Sequence, residues 1–213
     1  LDPETGWVRI DSPFTEDLDL ISQQLFALTT DGGKEYVGRV LQRSLENLDW
    51  TDSEDTLKLI VVSGNESADQ DPEYNFQAVC RELIAKGIMV NSIYCGAVTN
   101  EDAPGWTQIA KLTDGQFASI DPDYQEVAVA TPFDIEMADL STKINTTYIP
   151  MGETGAAAWS NQTEQDSNAA SIGAGAAASR SGTKSSSLYF CGWDLCDAID
   201  REEVDLDSID AEA

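Results

Sequence analysis

The chain has 213 residues, enough for one domain of common size plus an appendage, and sets 12 Lys+Arg against 39 Asp+Glu, a formal charge of −27. Such a surface repels phosphate backbones and anionic headgroups, so neither nucleic acid nor a polybasic membrane contact is expected. The hydrophobic content of 41%, with five Trp, six Tyr and six Phe, belongs to a chain with a packed core rather than a disordered one.

Histidine is absent, which excludes Ser-His-Asp and Cys-His catalysis, His-ligated zinc and His-based pH switching. No run of about 18 apolar residues occurs, so no membrane insertion is expected. Leu1-Asp2-Pro3-Glu4 lacks the basic and apolar regions of a signal peptide, which suits a mature fragment. Cys80, Cys95, Cys191 and Cys196 form no CxxC pair and allow three pairings, so zinc is not expected.

From Ser12 to Leu28, Leu18, Ile21, Leu25 and Leu28 stand at helical spacing behind Ser12 or Thr15, predicting a helix of about 13 residues. Thr29-Thr30-Asp31-Gly32-Gly33 breaks it. A second helix is predicted over EYVGRVLQRSLENL, with Val37, Val40, Leu41, Ser44, Leu45 and Leu48 on one face. Leu57–Val62 is a continuous apolar run suited to a strand covered on both faces, closed by a turn at Ser63-Gly64-Asn65. The layout repeats: PEYNFQAVCRELIAKG reads as a helix ending at a Gly87 cap, and Ile88–Cys95 as a strand. A helix from Pro104-Gly105-Trp106 to Leu112, a turn at Asp114-Gly115 and a strand at Gln116–Ile120 follow. This alternation predicts an α/β fold, a doubly wound, mostly parallel sheet with helices on both faces.

The character changes near Ala130, which places an α/β domain at 1–130 and an extension at 131–213. One helical pattern, Phe133 to Ile144, precedes Gly152–Ser187, whose Gly, Ala and Ser content predicts an extended or mobile segment. Ser187–Cys196 is apolar enough to dock as a clip, and Asp197–Ala213 reads as a solvated acidic tail.

The order and spacing of FALTTDGG, LENLDW, LKLIVVSGNES, AVCRELIAKGIMVNSIYCG and GWTQIAKLTDGQFASI resemble the von Willebrand factor type A family over Trp7 to Asp121. NTTYIPMGETG, NQTEQDSNAA and YFCGWDL are similar to the tail following the domain in one branch of it. The resemblance implies a binding module with a divalent cation held by oxygen donors at the carboxyl end of the sheet. This chain departs from that pattern. The DxSxS loop does not occur, Lys34 stands where a Thr follows the paired glycines, and Asn65 stands where an Asp ends the turn. An ammonium repels a metal and Asn65 offers one neutral oxygen, so no metal or other cofactor is expected. Either Lys34 substitutes for the cation, or it is a solvent-exposed loop lysine, the favoured reading.

The resemblance also implies about six strands, whereas four are countable, around Val8-Arg9-Ile10, Leu57–Val62, Ile88–Cys95 and Gln116–Ile120. Without the first, central strand, Leu57–Val62 exposes an apolar edge. The expected remedy is an N-terminal fragment held as another chain, or else a partner protein donating a strand.

Asn65, Asn145 and Asn161 begin N-glycosylation triplets, with Asn161 the best candidate and Asn145 the next. Cys191 and Cys196 are near enough to pair across a small loop, with two free thiols as the alternative. Asp69, Asp71 and Glu73 precede a helix whose N-terminus they favour, a likelier role than calcium binding. Trp7, Trp50, Trp106, Trp159 and Trp193 lie at element boundaries as packing anchors.

These readings lead to a non-enzymatic interaction or structural module at the cell surface or outside the cell, acting in adhesion or protein binding. Its surface is expected at Asp31, Gly32, Gly33, Lys34, Glu35, Ser63, Asn65, Glu66 and Ser67, with Cys95–Asp102. The alternatives are a scaffold subunit of a multi-subunit assembly, threaded by Gly152–Ser187, or a cation-dependent hydrolase or transferase.

Overall fold

The computed structural model describes residues 8–29, 33–123, 130–205 and 207. Eight helices and three strands occur among them, in the order α1 (Leu18–Phe26), α2 (Val37–Asn47), β1 (Lys58–Gly64), α3 (Phe76–Ala85), β2 (Ile88–Tyr94), α4 (Ala103–Leu112), β3 (Phe117–Ser119), α5 (Asp134–Asn145), α6 (Gly152–Ile172), α7 (Ala174–Lys184) and α8 (Leu195–Asp200). The described residues form two compact units, 8–14 with 33–123 and 15–29 with 130–205 and 207. The α/β class is borne out: the first unit carries a three-stranded, open, parallel sheet in the order β1-β2-β3.

Local sequence explains the first unit's helices. In α2, Val37, Leu41 and Leu45 recur every four residues and are buried, while Val40, expected on that face, is exposed and Arg39 is buried instead. In α3, Phe76, Val79, Cys80 and Leu83 form the buried stripe behind an Asn75 cap that accepts the Ala78 N–H. Gly87 follows at φ +71°, the left-handed geometry that closes a helix. In α4, Trp106 and Ile109 are fully buried, and the Thr113 hydroxyl accepts the Val90 N–H at 3.1 Å, tying the helix end to β2.

The sheet has one covered face. Ile88, Val90, Ser92 and Tyr94 of β2 are buried there, and Ser92 donates to the Trp106 carbonyl of α4 at 2.7 Å. Both crossovers, β1-α3-β2 and β2-α4-β3, step the same way across the sheet, and right-handed connections then put both helices on the same side. Leu57–Val62 is therefore not covered on both faces as expected. Ile60 and Val62 pack on the core, while Leu59 and Val61 are 38% and 60% exposed. The strand also runs through Ser63 and Gly64, where a turn was expected. Val8-Arg9-Ile10 joins no sheet; Arg9 pairs with neighbouring Asp11 at 2.6 Å, an exposed local contact in place of a ladder.

The second unit overturns the expectation of an extended 152–187. That stretch is the helix pair α6 and α7, broken at Gly173, whose φ of +150° suits glycine. Its alanines are the strongest helix formers, and its small side chains let α7 lie against α5 and α6. α1 packs on α6 and is shorter than expected, nine residues capped by Asp17 rather than Ser12 or Thr15. The Asp17 carboxylate accepts the Asp19 and Leu20 N–H groups. Leu25 and Leu28 are exposed, and Asp19 is the buried residue of this helix.

The 187–196 clip docks as expected. Tyr189, Cys191 and Asp194 are buried. Met151 N–H donates to the Trp193 carbonyl and Leu195 N–H to that of Ile149. Asp194 accepts the Ile149 N–H and caps α8 through the Asp197 N–H. The acidic tail thus begins inside a helix; residues 206 and 208–213 lie outside the described residues.

Candidate functional site

Open α/β sheets receive ligands at the carboxyl ends of their strands. There the segment before α2 meets the loop after β1. The Glu35 carboxylate accepts the Asn65 N–H at 2.9 Å and the Glu66 N–H at 3.2 Å, and the Glu35 N–H donates to Gln70 Oε1 at 2.7 Å. Gln70 reaches back to the Glu66 carboxylate, and Trp106 Nε1 donates to the Glu66 carbonyl at 2.8 Å. A Cβ on Gly64 would lie 1.9 Å from Glu35 Oε2, so glycine is what admits the carboxylate.

Two successive N–H groups make an anion-binding concavity, and the chain's own Glu35 fills it. Lys34 is exposed, with no hydrogen bond or ion pair to another described residue. Burial, then the negative charge of Asp102, Glu66 and Glu35, pushes the Tyr94 phenol above its ordinary range. Among the described residues no three acidic or cysteine side chains form a metal-holding group.

Glu35→Gln keeps the shape but loses the charge-assisted bonds, and should cost about 1 kcal/mol of local stability. Hydrogen exchange at the Asn65 and Glu66 amides should speed up by roughly fivefold, since about 1.4 kcal/mol corresponds to tenfold. Unchanged exchange there would show that Glu35 does not hold the loop.

Of the other expected surface residues, Gly33, Ser63 and Asn65 are exposed, Ser67 is half-buried and accepts the Asp69 N–H, and Asp31 and Gly32 lie outside the described residues. In the 95–102 loop Cys95 is exposed and the Gly96 carbonyl accepts Ser119 Oγ at 2.5 Å. The Asp69, Asp71 and Glu73 cluster does not serve a helix N-terminus. Asp71 accepts Arg39 Nε at 2.9 Å and the Glu73 and Tyr74 N–H groups, and Arg39 lies over the Tyr36 and Tyr74 rings. Burial pushes the Asp71 carboxyl up, but Arg39 and the two amides outweigh it and hold it below the ordinary value.

The β1 edge is the second feature. Cys95 N–H donates to the Gly64 carbonyl, so Lys58, Ile60, Val62 and Gly64 turn their backbone groups to β2. Leu59, Val61 and Ser63 turn theirs to the opposite edge, which pairs with no strand among the described residues. The same residues face the uncovered side of the sheet beside Met89, Asn91 and Ile93.

In the second unit a buried ionic network joins four elements. Asp166 accepts Arg180 Nε at 2.9 Å, Lys184 Nζ at 2.7 Å and Asn145 Nδ2 at 2.7 Å. Arg180 also pairs with Asp19, which accepts the Tyr189 hydroxyl at 2.6 Å. Burial pushes the Lys184 ammonium below its ordinary value, more than Asp166 raises it. Asn145, a possible glycan acceptor, belongs to this network: its Oδ1 accepts Lys184 and Gln162. Asn161 lies in α6, and its Oδ1 accepts Gln165 Nε2 at 2.9 Å. Cys191 and Cys196 are free thiols, the first buried and the second exposed, the alternative to a staple, and the Asp194 carboxylate ties the clip to the Ile149 N–H. Burial raises the Cys191 thiol to about 12.

No sequence signal marked this network, because its members are spread from Asp19 to Tyr189. Trp106 and Trp50 anchor packing as expected, the latter donating to the Ser44 carbonyl, and Trp193 stacks on Tyr148. Trp159 is 38% exposed, and Trp7 lies outside the described residues. A cavity of about 660 Å³ lies at the amino ends of β1 and β2 among Trp50, Asp52, Glu54, Lys58 and Lys86, away from the carboxyl-end loops. No helix is long and apolar enough to cross a membrane among the described residues. No protein-family profile, curated protein or solved structure matches the chain.

Proposed function

We propose that the chain is a non-enzymatic protein-interaction module of von Willebrand factor A type, with a degenerate cation site, acting at the cell surface or outside the cell. The observation that carries the reading is the unpaired edge of β1 beside an uncovered apolar sheet face. Unpaired strand edges are aggregation hazards that proteins cover or blunt, and this one carries Leu59 and Val61 without a bulge, proline or lysine pointing outward. An additional strand, from a partner protein or from an N-terminal fragment held as a separate chain, satisfies it.

Glu35 in the carboxyl-end loop supports a contact that needs no cation. The scaffold alternative draws no support from residues 152–187, which pack within their own unit.

A photo-crosslinking residue at position 61, in the full chain expressed in its native host, should capture a distinct protein. One at Glu82, on exposed helix surface, should not. Equal labelling at both positions, or none at either, would refute the reading.

A further inference from the structure

The occupant of the β1 edge can be given a chemistry, an inference that rests on reading that edge as a docking site. Leu59, Val61 and Ser63 direct three N–H and three C=O groups outward along the edge of a seven-residue strand. That row fits a single added strand of about five or six residues. Leu59 and Val61 also offer exposed apolar side chains on the uncovered face, so alternate apolar residues of the incoming strand have cross-strand neighbours there.

Charge selects among occupants. Exposed Asp52, Glu54 and Asp55 precede the strand, and half-buried Glu66 and exposed Asp69 follow it. Lys58, the cation within the strand, turns to the helix-covered face and donates from Nζ to the Thr51 carbonyl at 3.3 Å, and exposed Lys34 at the carboxyl-end flank is outnumbered there by Glu35, Glu66 and Asp69. A second copy pairing edge to edge would set one copy's acidic flank against another in either orientation, with −27 on each chain. A strand bracketed by Lys or Arg instead meets opposite charge at both ends, within the screening distance of about 8 Å at physiological salt.

We propose that the β1 edge binds an extended segment of another protein that has alternating β-branched apolar residues and basic residues at both flanks. It hydrogen-bonds to the backbone of Leu59, Val61 and Ser63. The probe is a fluorescent peptide, Lys-Lys-Val-Thr-Val-Thr-Val-Lys-Lys, titrated with the full chain and compared with its Glu-flanked counterpart by anisotropy. The Lys-flanked peptide should bind at least about tenfold more tightly and weaken with added salt.

Val61→Pro, which removes an outward N–H, should abolish binding. Leu59→Lys should weaken it about tenfold with the fold intact, because that side chain is already exposed and the new charge faces a cationic strand. Equal binding of both peptides, sensitive to both variants, would overturn the charge preference and leave the edge reading standing. Lys-flanked binding indifferent to Leu59→Lys would mark adhesion elsewhere on the acidic surface and overturn the proposal. Self-association without peptide binding would make the occupant a second copy. No binding by a monomer that still crosslinks a partner at position 61 would overturn the occupant and spare the function.

Discussion

Asp166→Ala is expected to destabilise the second unit by about 3–5 kcal/mol, the cost of breaking a buried ion pair from one side. Asp166 is the shared partner of two cations, and its loss affects them unequally. Arg180 keeps Asp19, whereas Lys184, with no exposed side-chain surface, keeps only the neutral oxygens of Ser141 and Asn145. Against a typical domain stability of about 5–15 kcal/mol the loss is large, and thermal melting should fall by on the order of 10 °C or more. Removing both charges in Asp166→Ala/Lys184→Met should recover part of it, because the uncompensated ammonium goes too.

The deficit should also depend on pH. Burial depresses the folded Lys184 ammonium below its ordinary 10.5, so between the folded and unfolded values the unfolded chain binds the extra proton and stability rises with pH. Losing Asp166 removes the group that raises the folded value, so that window widens downward. The difference between variant and parent should therefore shrink as pH climbs toward 10. A variant melting within about 2 °C of the parent at neutral pH would show that the network contributes little.

The second large effect is expected at Gly38. Gly→Ala within a helix ordinarily stabilises by about 1 kcal/mol, but here a Cβ would lie 2.0 Å from the Tyr74 carbonyl oxygen and 3.2 Å from the Phe76 nitrogen. Both are backbone atoms of the turn that opens α3, so no side chain can swing aside. α2 must shift, and the shift disturbs Arg39 against Asp71 and Tyr74, which are anchored to the same turn. A net loss of about 1–3 kcal/mol is expected for Gly38→Ala in denaturant unfolding, against little change for Gly33→Ala, which has open space around it. A stabilised Gly38→Ala protein would refute the close approach.

Much of the α/β unit was legible because its signals are local. The periodicity of Val37, Leu41 and Leu45, the stripe from Phe76 to Leu83 with Asn75 before it and Gly87 after it, and the branched run at Ile60–Val62 each depend on neighbours a few residues away. Glu35 shows the limit. It belonged to the expected surface, but its bond to the Asn65 and Glu66 amides spans thirty residues and depends on Gly64 leaving room. The Gly, Ala and Ser content of Gly152–Ser187 predicts an extended or mobile segment, whereas its helices α6 and α7 are held by contacts no periodicity records. Buried Gln162 and Lys184 and half-buried Arg180 are polar residues whose partners lie on other elements.

The sequence by itself determined that this is an acidic, histidine-free α/β chain with parallel strands, since composition and short-range pattern settle those points. Only the tertiary structure decided that Asp19, Asn145, Asp166, Arg180 and Lys184 share one network, and that Glu35 occupies the carboxyl-end loop. It also decided that the outer edge of β1 pairs with no strand among the described residues, since whether a strand has a neighbour depends on the path of the whole chain and not on the strand's own residues.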